Sequence, residues 1–454
     1  MLAAALLVLA LPARALEEEA RAHLRTLISF DTSNPPGNEI LAAEYLRQKM
    51  DADGIPAELF TSTGTRTSMI ARLKGSGGKR PLLLMCHTDV VPADPAEWDT
   101  PPFSPVEKEG YIYGRGAADD KNLCAAMAAV MSWLKKSNTK LARDVIFFAE
   151  ADEESGGKDR HLDWLLAHHK DKLDAEFALN EGGITLMDGG RVSQIRVQAA
   201  EKDYLDLTLV ARGQAGHASV PSADNPVAAI ARAVSRLSDH RFPARLDAVV
   251  RAFLERQQEV ARPPLKGAIA EVLEAVDEAD LDRAADNLAA LEPEFGAMLR
   301  ETVAPTMLKA GYKSNVIPAE AQAVLNARLL PGRTPDQLVA DLRAVIDDPA
   351  VDILYDQRTR GPVGPMPTNT PLYQAIVEAA KEHAPQAAVM PYMSAWTTDS
   401  GELRARGVVT YGLIPPFTAE DGRMHGKNER IELASLDWYT RFLRTVVLKV
   451  AAAK

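Results

Sequence analysis

Apolar residues along the first two hundred positions switch between two spacings. Segments 20–29 and 38–53 repeat them at helical intervals, and 123–135 does so in an Ala-rich run. Segments 68–73, 81–86 and 144–150 instead carry short apolar runs bounded by polar residues. Runs such as LLLMC at 82–86 and VIFF at 145–148 suit buried strands. Helices interleaved with strands predict an open α/β sheet. Such sheets bind ligands beyond the carboxyl ends of their strands, and the acidic clusters of this chain follow apolar strands.

The texture changes after residue 200. Strands are predicted over 204–210, 320–329 and 351–355, and helices over 226–237 and 335–346. This β-α-β-α-β run fits a small α+β domain of ferredoxin-like kind. Residues 244–305 are acidic and helix-rich and read as an insertion within it. GPVGPMPTNTP at 361–371 is a linker by composition, and α/β texture returns from 372. The expected organisation is a first domain built from 16–199 and 359–454, interrupted by a second at 200–358.

The 454 residues, 46% hydrophobic and 25% charged, allow a large core without a disulfide scaffold. The net charge of -11 argues against nucleic acid as a main partner. Cys86 lies in an apolar strand and Cys124 in the Ala-rich helix, and both read as buried free thiols. Strand alternation turns the Cys86 side chain away from the face of His87, so it is not taken as a ligand. Residues 2–11 are apolar and Ala13-Arg14-Ala15 has the form of a cleavage site. Residues 1–15 are therefore expected to be a signal peptide and the protein to be exported, periplasmic or secreted. The alternative is an ordinary first helix on a cytoplasmic protein. The run is too short to cross a bilayer.

Five short segments carry the chemistry. HTDVVP places His87 at a strand end, and Asp89 two residues on can accept the second N–H of a metal-bound imidazole. GRGAADDK puts Asp119 and Asp120 at a strand-to-helix turn, where adjacent carboxylates need a cation or a capping role. A carboxylate has two oxygens, so Asp119 can bridge two metals about 3.5–4 Å apart. AEADEESGG crowds Glu150, Asp152, Glu153 and Glu154 at the end of an apolar strand, which offers a ligand beside a free base. LNEGG sets Glu181 after another strand, and MHGKNE sets His425 near the C-terminus. Each segment alone also reads as a turn, a cap or a solvated loop. Together they supply a bridged dinuclear donor set: one His and one carboxylate for each metal, a shared Asp, and positions left for water. Nitrogen and oxygen donors without thiolate suit zinc, and also cobalt or manganese.

At these residues the chain resembles the clan MH dizinc hydrolases, the relatives of aminoacylase, carboxypeptidase S, carnosinase and succinyl-diaminopimelate desuccinylase. The resemblance covers about 70–450. It implies one metal on His87 and Glu181, the other on Glu154 and His425, and Asp119 as the bridge. It makes Asp89 the support of His87 and Glu153 the general base, and it implies a cis peptide at Asp119–Asp120. GQAGHASVP at 213–221 resembles a lid motif whose histidine, here His217, stabilises an oxyanion, often across a dimer. Asn315 in SNVIP and Arg328 in NARLLPG resemble lid residues that hold substrate polar groups, with Arg328 suited to a terminal carboxylate. Residues 200–358 thereby become a lid and dimerisation domain. EWDTPPF, GRGAADDKN, NEGG and the helical insertion most resemble the carboxypeptidase S and secreted N-acyl amino acid hydrolase branch. The chain departs from the family pattern in two places: Asn180 stands for Asp, and Trp396 and Thr397 stand for glycines.

The resemblance implies a hydrolase that cleaves the amide bond of a small peptide, of carboxypeptidase or dipeptidase type, with water activated by two zinc ions per chain. An N-acyl amino acid amidohydrolase of aminoacylase type is the alternative. A phosphoesterase would be expected to set more basic residues beside the carboxylates, and a non-catalytic binding protein to lack ligands or Glu153. The implied partners are the substrate and a second copy of the chain joined through the lid. Neither nucleic acid nor a stable membrane span is expected.

Overall fold

The computed structural model describes residues 13–155, 160–356, 363–418, 420–421 and 423–453. The chain forms two compact units. One comprises Met1–Gln198, Met366–Met390 and Thr398–Lys454, the other Ala199–Pro365 and Pro391–Thr397. Residues 1–12 of the expected leader and the expected boundary at 358–359 lie outside the described residues; Ala13–Ile28 forms a helix. Among the described residues, no helix is long and apolar enough to cross a membrane.

Nine strands among the described residues form one sheet, most of it in the first unit. Their order is Ala57–Thr63, Arg66–Leu73, Arg143–Glu150, Lys79–His87, Phe177–Asn180, Val409–Gly412, Arg191–Glu201 and Ala388–Ser394, with Ile184–Asp188 on Arg191–Glu201. The four strands from Arg143–Glu150 to Val409–Gly412 run parallel, and antiparallel pairs flank them. This is the expected α/β sheet. Parallel strands need covering on both faces, and Leu82 to Cys86 and Val145 to Ala149 are buried without alternation. The helix Lys121–Lys136 packs on Lys79–His87 and against Ala13–Ile28 and Leu433–Ala451.

Packing corrects the reading of the cysteines. The helix Lys121–Lys136 brings Cys124 within 5.4 Å (Cα–Cα) of Cys86, and the two form a disulfide. Their 38-residue separation hides a proximity that exists only once helix and strand are packed.

The second unit holds a four-stranded antiparallel sheet of order Thr302–Ala310, Glu320–Leu329, Asp203–Arg212 and Val351–Tyr355. With Pro226–Asp239 and Pro335–Ile346 this is a βαββαβ fold of ferredoxin-like kind. Its core joins Leu205, Leu207 and Leu209 to Ala323, Leu325, Ile230 and Leu342. Four helices, Ala248–Val260, Leu265–Glu274, Glu278–Leu291 and Pro293–Ala297, fill the acidic segment. The strand Thr302–Ala310 follows them where the pattern suggested none. It is an exposed edge strand carrying Pro305, so no apolar alternation marks it.

Candidate metal centre

The site is assembled at the carboxyl ends of the parallel strands. His87 ends Lys79–His87 and lies in register with Glu150, the last residue of the neighbouring strand. Glu153 and Glu154 follow in a single 3₁₀ turn, and Glu181 follows Phe177–Asn180. Asp119 sits in the loop before the helix Lys121–Lys136, where the Asp119–Asp120 peptide is cis. Asp120 occupies the helix N-cap position without capping it; its carboxylate accepts the His87 main-chain N–H at 3.3 Å.

Asp119 stands between two imidazoles. Its Oδ1 is 3.1 Å from His87 Nε2, and its Oδ2 is 3.1 Å from His425 Nε2. His425 Nε2 also lies 2.9 Å from Glu154 Oε1, and His425 has a left-handed φ of 62°. Strain of this kind is held only where the surroundings fix the residue. Three donor groups result, each with its atoms within 4.8 Å of one another: His87–Asp119–Glu181, His87–Glu153–Glu154 and Asp119–Glu154–His425. Two of the three share Asp119.

Asp89 does more than the sequence suggested. His87 Nδ1 is 3.0 Å from the Asp89 main-chain oxygen and 3.4 Å from its Oδ1. The same buried carboxylate accepts the main-chain N–H of Glu153 at 3.1 Å and of Glu154 at 2.9 Å. It therefore orients the acidic turn as well as the imidazole. Of the crowded acids, only Glu153 and Glu154 join the site. Asp152 pairs with Arg66 and accepts from Asn34 and His161, while Glu150 lies near Asp399 and Arg160.

The charges are unbalanced. Burial, and then the neighbouring carboxylates, push Glu153 and Glu181 well above the usual carboxylate range. Burial opposes charge on His87, but hydrogen bonds to Asp119 and Asp89 outweigh it and raise its pKa. Hydrogen bonds to Asp119 and Glu154 raise His425 to about 10. Crowded carboxylates and imidazoles of this composition fit a pair of divalent cations, which would offset the negative charge and take both oxygens of Asp119.

Two supporting residues escaped the sequence reading. Buried Glu429 accepts four hydrogen bonds: Ala118 N (2.7 Å) and Asp119 N (3.0 Å) on Oε1, Arg115 Nη1 (2.7 Å) and Gly116 N (3.0 Å) on Oε2. It holds the whole Asp119 loop, four residues beyond His425. Gly116 there has φ +85°, and a Cβ would come within 2.9 Å of Val90. Asn34, beside two cis prolyl bonds, donates to Asp89 Oδ2 and Asp152 Oδ1, each at 2.9 Å. The signals were the NE pair after His425 and an Asn ahead of Pro-Pro-Gly, both of which also suit plain turns.

The other expected residues belong to the second unit. His217 lies on the short strand Gly216–His217, opposite Val316, with the main-chain oxygen of Asn315 accepting from Ala218 N at 3.1 Å. His217 is exposed, and its Nδ1 accepts the main-chain N–H of Ser219 at 3.2 Å. Arg328 lies at the far end of Glu320–Leu329, opposite Tyr204 and Thr302; its Nε donates to Asn326 and its Nη1 to Thr397 at 3.4 Å. The departures are accommodated: Asn180 is buried and donates to Ser400 at 3.1 Å, and Thr397 donates to the Lys202 main-chain oxygen at 2.7 Å.

The family profile described as "Peptidase family M20/M25/M40" matches residues 83–449. The chain is similar to the N-fatty-acyl-amino acid synthase/hydrolase PM20D1 of Xenopus tropicalis, at 30% identity over 80% of this chain and 71% of that protein. It is 26% identical to a probable carboxypeptidase S-like 2 of Dictyostelium discoideum, over 80% and 71%. Among solved structures, the M20 family metallo-carboxypeptidase Sso-CP2 from Sulfolobus solfataricus superposes with a TM-score of 0.71. It is 23% identical, and the match covers 95% of this chain and 99% of that one.

Proposed function

The chain belongs to peptidase family M20/M25/M40, the metal-dependent hydrolases of amide bonds, and from that premise we propose that it cleaves N-acylated amino acids. The carrying observation is the Asp119 carboxylate set between two imidazoles with Glu153 beside them. The name of the PM20D1 relatives favours an acyl-amino acid; that of the carboxypeptidase S-like relatives favours short peptides as a second substrate class. Both substrate classes pair an amide with a free carboxylate.

In this reading His87 and Glu181 would hold one zinc ion and Glu154 and His425 the other, with Asp119 shared between them and cobalt or manganese as substitutes. Bound there, the metals lower the pKa of water and polarise the scissile carbonyl. Glu153, fixed through its main-chain N–H by Asp89, takes a proton from the attacking water on its carboxylate. It then delivers that proton to the leaving amine.

The lid residues divide by position. Ser219 N–H on Nδ1 leaves the His217 proton on Nε2, the tautomer that donates to an oxyanion. Arg328 takes the substrate carboxylate, and Asn315 a further polar group. Arg328 and Glu320 lie eight residues apart on one strand, roughly 27 Å at the usual rise. His217 and Asn315 lie beyond the Glu320 end, so one lid cannot offer His217 and Arg328 to one small substrate. This supports a homodimer in which the partner's lid supplies the histidine and asparagine at that end, the partner's His217 and the partner's Asn315. The edge strand Thr302–Ala310, with exposed Met307 and Leu308, and exposed Val220 and Tyr312 supply a surface for it.

The test is elemental analysis paired with activity on N-acyl amino acids and dipeptides, before and after chelation. Two metals per chain and chelator-sensitive cleavage of N-acyl amino acids are expected. Cleavage of dipeptides alone would overturn the substrate proposal. Absence of metal and of activity after adding zinc, cobalt or manganese would overturn the whole reading.

A further inference from the structure

We propose that the Cys86–Cys124 disulfide positions the metal cradle, so that metal affinity depends on this crosslink being oxidised. The proposal rests on the dinuclear reading above.

Cys86 immediately precedes His87, and Cys124 lies in the first turn of the helix that follows Asp119 and Asp120. The crosslink therefore closes a loop that contains His87, Asp89 and Asp119. Both sulfurs are fully buried, and Cys124 Sγ lies 3.3 Å from the His87 main-chain oxygen. The Asp120 carboxylate on the His87 N–H is a second tie between the same two segments. No other cysteine occurs in the chain.

The physical need is clear. Without cations, burial and mutual repulsion of Glu153, Glu154 and Glu181 disfavour holding the donors of each group within 4.8 Å of one another, so the donors tend to move apart. A covalent link one residue from His87 opposes that movement and keeps the donors preorganised. Forming the bond removes two protons and two electrons from the two thiols. A disulfide donor takes them up and leaves as a dithiol.

The test starts with the wild-type chain, prepared with the thiols oxidised and, separately, kept reduced from expression onward. Denatured oxidised protein should show no alkylatable thiol until it is reduced. Zinc binding is then titrated by competition with a chromophoric chelator, with activity followed alongside, for both forms and for the variants C86A/C124A and C86V/C124A, the second of which refills the core. Loss of the crosslink should raise the zinc midpoint about tenfold, the scale on which supports of metal ligands act. Two free thiols in the oxidised preparation, or equal midpoints in all folded forms, would overturn the proposal even if thermal stability falls. Failure of both variants to fold leaves the two wild-type preparations to decide. Failure of every form to bind zinc would instead strike the dinuclear reading itself.

Discussion

Replacing Glu429 with Gln removes one of the two oxygens that hold the Asp119 loop. The carboxylate accepts two hydrogen bonds on each oxygen, and an amide keeps only one acceptor. Arg115 retains the remaining oxygen as the stronger donor, so the amide NH₂ turns toward Ala118 N and Asp119 N. Two buried donors then face a donor, at about 1–3 kcal/mol each, or roughly 2–6 kcal/mol in all. The loop relieves part of this by moving, and Asp119 moves with it. Urea unfolding should show the stability loss, and titration with zinc should show weaker loading and a lower kcat. A variant that loses stability but keeps wild-type zinc affinity and kcat would refute the claim that Glu429 places Asp119. No loss of stability would refute the hydrogen-bond arithmetic itself.

Glu153→Gln should retain both metals by elemental analysis and lose about 10²–10⁴-fold in kcat, the usual weight of a general base; near-normal turnover would remove it from that role. His217→Ala should lose on the order of 10²–10³-fold in kcat with metal content unchanged. Mixing it with Glu153→Gln should restore activity if the partner lid completes the site, and no recovery after proven subunit exchange would argue against that arrangement. His23, buried beside Tyr45 and outside the candidate donor groups, gives a separate pH effect. Burial first, then Lys49 and Lys136, lower its pKa from 6.5 to about 4. Near pH 5 the unfolded chain holds a proton that the folded chain refuses, so stability is full above about 6.5 and falls as the pH drops toward 4. The loss is about 3 kcal/mol. His23→Gln should remove that slope from the urea midpoints, and parallel curves for the two proteins would contradict it.

The α/β sheet was legible because its strands are short continuous apolar runs and its helices keep their spacing. The ferredoxin-like strands Glu320–Leu329 and Val351–Tyr355 were legible too, since one face of each is buried and the pattern records it. Ala57–Thr63 and Thr302–Ala310 were not, because these two strands bury almost none of their side chains and their sequences show no period. The candidate donors were legible as residue types, most of them following apolar strands. Their supports were not: Glu429 and Asn34 act through main-chain groups, and any loop Asn or Glu looks the same before folding.

By itself, then, the sequence determined the local elements and which side chains can ligate, because periodicity and donor chemistry are properties of short segments. Only the tertiary structure decided that Asp119 stands between His87 and His425, that Asp89 grips the Glu153 turn, and that Cys86 bonds Cys124. Each of these joins residues 32 or more positions apart. Packing of helix on strand sets such distances, and no local pattern encodes them.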